Sequence, residues 1–270
     1  SKLFSAQNKQ SMLENAIKTT IYFGSQKTFN TLMLLRDNEK MFFMKNIYLT
    51  LLKEQSDEMV QIAVKGGNRA IFNDVWSKVL SKSHSDAESN NTPNLLEKNT
   101  LIKLLGLHAD SNKDTNTLLI AIKNNDIEIL RDLFSILDEN EIYIYKDMAL
   151  ILLYQALNNS NSTTVDLLFE FISSNCKPLT VAELVSDLKF SLNQLKNMPI
   201  ENIRKLKDLE YNFSAEQTTL INQREHIETT LGENFAMLFK QCIEFLKNLV
   251  NSKPDYAKYK VSHGSTFFNN

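Results

Sequence analysis

Glycine and proline are scarce in this 270-residue chain, with 6 and 4 occurrences respectively. A β-sandwich or barrel needs a turn every 8–12 residues or so, and so little punctuation cannot supply one. Cysteine is almost as rare. Cys176 and Cys242 lie far apart, and two thiols in a chain of this size fit a reducing compartment better than a disulfide framework. No apolar run approaches the ~20 residues of a membrane span. MFFMKNIYLTLL (Met41–Leu52) comes nearest, but it is short and Lys45 interrupts it. Neither is there a block of basic residues to neutralise a row of phosphates: net charge is −2, with Lys and Glu mixed along the chain. Nucleic acid is therefore not an expected partner. No signal peptide is legible at the start, and a cytoplasmic location is expected.

What is there points to helix. A hydrophobic fraction of 43% is ordinary for a folded chain of this length, enough to bury a real core. With so few breakers the fold class is all-α.

The stretch TLLIAIKNNDIEILRDLF (Thr117–Phe134) carries a pattern. With Ala121 as position zero, small or apolar residues fall at −4, −3, 0 and +1: Thr117, Leu118, Ala121 and Ile122. A second set falls at +8, +9, +12 and +13: Ile129, Leu130, Leu133 and Phe134. Each set marks one helix face, and the polar gap between them has room only for a tight turn. The same template fits around Ala156, around Ala63 and around Thr20. Position +4, where the first helix must end, is Asn125, Ser160, Gly67 and Gly24 in these copies. Asn and Gly favour the left-handed conformation that closes a helix. Intervals between copies are unequal. The first holds an extra helix over Met41–Leu52; the second holds a polar, mobile loop near 81–94 and a short helix over Leu95–Leu107, with Gly106 helping to end it.

EMVQIAVKGGNRAIFNDVW (Glu58–Trp76) and NTLLIAIKNNDIEILRDLF (Asn116–Phe134) resemble the helical part of ankyrin repeats. The shared features are a small pair closing the first helix, a polar turn with Gly, and a second helix of the Ile/Val-x-x-Leu-Leu type. The Thr-Pro-Leu-His opening of that family is missing from every copy. Spacing between the last two copies also resembles tetratricopeptide-type repeats, whose Trp, Gly-Tyr and Pro positions are not matched. The resemblance implies a degenerate αα-hairpin solenoid over about Ser11–Ser174. Such arrays are similar to effector proteins of intracellular bacteria. An Asn-, Lys- and Ile-rich composition, suited to an AT-rich genome, is compatible with that. The resemblance implies binding of another protein, a host protein or another effector, and secretion into the host cytosol.

After Cys176 the style changes. Leu179–Met198 carries one apolar stripe and a capping box, Thr180 with Glu183. Pro199 starts a further helix, Ser214 caps the next, and Gly232 ends or kinks it before Glu233–Val250. The expected organisation is a helical-repeat domain over 1–177, an antiparallel helical bundle over 178–252 and a tail over 253–270.

Convergent chemistry is not legible. A cysteine-dependent hydrolase or transferase would use Cys176 with His226 or His263, but no signature surrounds the thiol. His84, His108, His226 and His263 lack metal-ligand spacing. No catalytic residue, metal or cofactor is assigned. Function is then read from the surface. With −4, −3, 0 and +1 buried, about 100° per residue sets −2 and +2 on the exposed face. The candidate partner-binding row is Lys18, Tyr22, Gln61, Lys65, Leu119, Lys123, Tyr154 and Asn158. A rival from another class is an oligomeric structural protein assembling through its C-terminal helices.

Overall fold

The computed structural model describes residues 6–24, 26–34, 39–85, 98–107, 116–176 and 179–251. Among them are fourteen helices and no strand, so the chain is all-α. In order these are α1 (Ala6–Phe23), α2 (Gln26–Leu34), α3 (Glu39–Glu54), α4 (Ser56–Gly66), α5 (Arg69–Ser85), α6 (Lys98–Leu104) and α7 (Thr117–Asn124). They continue with α8 (Ile127–Glu139), α9 (Lys146–Asn159), α10 (Ser162–Asn175), α11 (Val181–Asp187), α12 (Leu192–Asn197), α13 (Ile200–Asp208) and α14 (Ala215–Asn251). The additional helix α3 and the short α6 stand where the pattern puts them, and Gly106 follows α6 at a φ of 64°. The segment 86–97, which takes in most of the expected loop, and the tail from 252 lie outside the described residues.

The four template copies coincide with the pairs α1/α2, α4/α5, α7/α8 and α9/α10. The first helices pack in succession, α1 on α4, α4 on α7 and α7 on α9; the second helices follow, α2 on α5, α5 on α8 and α8 on α10. Apolar template positions explain why. Met59, Val60, Ala63 and Val64 on α4, and Leu152, Leu153, Ala156 and Leu157 on α9, are all fully buried. So are Leu118, Ala121 and Ile122 on α7. Burying a large apolar side chain is worth about 1.5–3 kcal/mol, and the Ala at position zero lets neighbouring helices approach. The copy around Thr20 is less complete: Ile17, Ile21 and Phe29 are buried, while Ala16 and Thr28 are exposed. In the last copy the ring at the second-helix face is Phe171, not Phe169, stacked on Phe134 at 3.9 Å between centroids.

The last carbonyls of a helix have no partner within it, and here a side chain from later in the chain provides one. The Asn124 amide donates to the carbonyls of Val64 and Lys65 at the end of α4. The Ser160 hydroxyl donates to Ile122 O at the end of α7, at 3.0 Å. Asn202, fully buried on α13, donates to Leu157 O at 3.1 Å and Ser160 O at 2.9 Å at the end of α9. Of the four expected turn positions, Gly67 and Asn125 take the left-handed conformation (φ 64° and 54°). Gly24 has no positive φ and Ser160 is extended, freeing its hydroxyl for the bond to Ile122. On the outer side Arg69 forks onto Asp132 with two 2.7 Å bonds and reaches Glu128 at 2.8 Å, tying the second pair to the third.

The C-terminal third departs from its expected form. The Thr180–Glu183 capping box is present, but the helix it opens ends at Asp187. A second box, Ser191 with Gln194, starts α12 after an extended step. A strong cap inside the apolar stripe outcompetes continuation of one long helix. Helices α11, α12 and α13 lie against α9, and α11 and α13 also meet α10. The sequence reading puts a boundary at 178; contacts divide the chain at Phe213 and Ser214 instead. Ser214 caps α14, exchanging bonds with Gln217. That helix runs unbroken through Gly232, because one glycine costs only about 1 kcal/mol in a helix. Over 178–252, where an antiparallel bundle is expected, the described residues hold three short helices, α11 to α13, within the first unit, and the single helix α14 in the second.

A Cβ at Gly66 would stand 2.7 Å from Ile21 O and 2.9 Å from Tyr22 O, both backbone atoms of α1. Gly66→Ala should therefore lower stability by about 1–3 kcal/mol, as overpacking does, despite the better helix propensity of Ala. Urea unfolding followed by circular dichroism checks this.

Candidate functional site

Each predicted surface residue has a definite place. Lys18 is pinned between α1 and α4 by an ion pair with Glu58 at 2.7 Å. Tyr22 is exposed and meets Phe23 edge-to-face at 4.5 Å. Gln61 is half-buried. Lys65 is exposed and borders an open hollow of about 780 Å³ with Gly67, Asn124, Asp126, Glu128 and Arg131. Asn158 is half-buried, and its amide turns back onto Tyr154 O of its own helix at 2.8 Å.

Leu119 is a correction. The hairpin pattern places it on the free face, but it is only 3% exposed. Helix α7 is eight residues long and packs against α4, α8 and α9, so Thr117 through Ile122 are all buried. A pattern built on one hairpin cannot foresee burial from both neighbours.

Leu119, Lys123 and Tyr154 nonetheless come together. They line a groove of about 290 Å³ with Leu150, Ile151, Gln155 and Leu188. Leu119 and Leu188 are buried, Ile151 is half-buried, and exposed Lys123 stands beside them. Tyr154 is held by a parallel stack on Phe190 at 5.6 Å. Phe190 in turn meets Tyr211, whose hydroxyl donates to Leu188 O at 3.1 Å. Burial pushes the Tyr211 hydroxyl above its ordinary pKa. Sequence reasoning passed over Phe190 and Tyr211, because a continuous helix over 179–198 sets Phe190 off the apolar stripe. The signal that would have found them is Ser191-x-x-Gln194, which breaks that helix and lets Phe190 turn inward.

Cys176 ends α10, is 6% exposed, and points its thiol at Ile144 O at 3.5 Å. Burial pushes its pKa up to about 11. A nucleophilic thiol needs the opposite shift. His226 is exposed and bonded to Thr230 on its own helix. His108 and His263, and the side chain of His84, lie outside the described residues. Among the described residues no group of three or more His, Cys, Asp or Glu is placed to hold a metal, and no helix is long and apolar enough to cross a membrane.

Comparison with protein-family models, curated proteins and solved structures finds no match to this chain.

Alkylation by iodoacetamide at pH 8, mapped by mass spectrometry, should leave Cys176 unmodified in the native protein and modify it fully in urea. Rapid native modification at Cys176 would instead mark an activated thiol.

Proposed function

We propose that residues up to Phe213 form a degenerate, ankyrin-like solenoid that binds another protein along the face of α1, α4, α7 and α9. The observation that carries this reading is the groove at Leu119, Lys123 and Tyr154. An apolar floor beside an exposed cation and a stacked aromatic ring is the composition of an interface anchor point, where a few side chains supply most of the binding energy. Its size accommodates one or two side chains of a partner. Lys123, with Lys65 further along the face, selects for acidic residues around that anchor.

A role as a bacterial effector, or as a regulator of another effector, follows from the resemblance of the hairpins to the arrays of such proteins. Under that reading the partner is a host protein or a second effector. The buried, high-pKa Cys176 argues against the cysteine-enzyme alternative.

A photo-crosslinking residue at Tyr154, with Lys65→Glu/Lys123→Glu as the comparison, tests the proposal. One protein should cross-link at position 154 and be lost, by tenfold or more in yield, in the double variant. A partner that the double variant retains at full strength would overturn this placement of the binding face.

A further inference from the structure

Helix α14 is 37 residues long, about 55 Å at 1.5 Å per residue, and much of its surface is wrong for water. Leu231, Phe235, Leu238 and Phe245 are 55–71% exposed, and Phe239 and Leu246 beside them are similarly bare. Together they present roughly 750 Å² of apolar surface, more than the few hundred Å² that a monomer usually leaves open and close to the ~800 Å² per partner of a stable complex. Helices in folded proteins draw most of their stability from a packed apolar face.

The order of these residues says what covers it. Leu231, Phe235, Leu238, Cys242 and Phe245 follow the alternating spacing of four and three that marks one seam of a coiled coil. From Phe235 to Phe245 the seam reads Phe, Leu, Cys, Phe, and it is nearly the same in reverse about Lys240. Laid antiparallel on a copy of itself, each Phe235 meets the partner copy's equivalent of Phe245, and each Leu238 meets that of Cys242. This is the self-complementarity a two-fold interface requires. The flanks agree. Lys240, Glu244, Lys247 and Glu233 all fall on the outer positions, and the flanking positions hold Asn234 and Gln241 on one side and Phe239 and Leu246 on the other. Coiled coils that choose a different partner do so with charges at the flanks. Here no flanking charge between Leu231 and Phe245 repels an identical strand.

We propose that α14 is a homodimerisation helix, pairing antiparallel with α14 of a second copy through the seam Leu231–Phe245. The inference is independent of the binding face on the first unit, and its test needs no outside partner.

Light scattering coupled to size exclusion on the full chain at micromolar concentration should give twice the 31.0 kDa chain mass. Phe235→Glu/Phe245→Glu should give the single mass, with circular dichroism and the urea midpoint of the first unit unchanged to show that it folds. Leu238→Cys should form a disulfide-linked dimer through Cys242 under mild oxidation, whereas wild type should not. A wild type of 31.0 kDa at every concentration, or a dimer that the double variant leaves intact, overturns the proposal. A wild type that cross-links readily through Cys242 alone overturns the antiparallel register.

Discussion

The open carbonyls at the ends of α4, α7 and α9 set a condition that the rest of the first unit meets. Each such end must either reach water or be given a donor. In this chain the donor comes from a helix or cap later in the chain: Asn124 for α4, Ser160 for α7, Asn202 for α9. The bonds run in one direction along the chain, and the first helices pack in succession, α1 on α4, α4 on α7 and α7 on α9. Small residues at Ala63, Ala121 and Ala156 permit the approach that these bonds need. Packing and hydrogen bonding thus specify the same register.

That register carries the proposed function. A binding face requires that side chains from separate helices hold fixed spacing, because flexibility at each position would cost entropy on association. The groove at Leu119, Lys123 and Tyr154 draws on α7, α9 and the extended step before α12, three segments that a single helix could not bring together. The stack of Tyr154 on Phe190, and of Phe190 on Tyr211, fixes one wall. The second unit answers a different demand. Its helix carries an apolar seam as long as that of a core helix, but within that unit the described residues offer it no mate.

Much of the helical layout is legible in the sequence. Periodicity located the buried positions of α4, α7 and α9, since those are fixed by contacts within a hairpin and to its immediate neighbours. Capping chemistry located the starts of α11 and α14. What escaped depended on competition between signals. Gly232 read as a break, yet the cost of one glycine is small beside a long run of helix formers. Leu119 read as free because exposure on a short helix is decided by the helices on either side. Phe190 was hidden by treating two capped helices as one. Of the expected row, Leu119, Lys123 and Tyr154 line the groove, with Leu119 buried where the pattern sets it free.

Equilibrium urea unfolding of Asn202→Ala tests the account most directly. This side chain is fully buried and closes the end of α9 with two bonds. Loss of both leaves buried carbonyls unpaired, and the account predicts a fall of about 1–3 kcal/mol in stability with the slope of the transition unchanged. An unfolding midpoint equal to that of the parent chain would contradict it, since the stitched helix ends would then be an accident of packing.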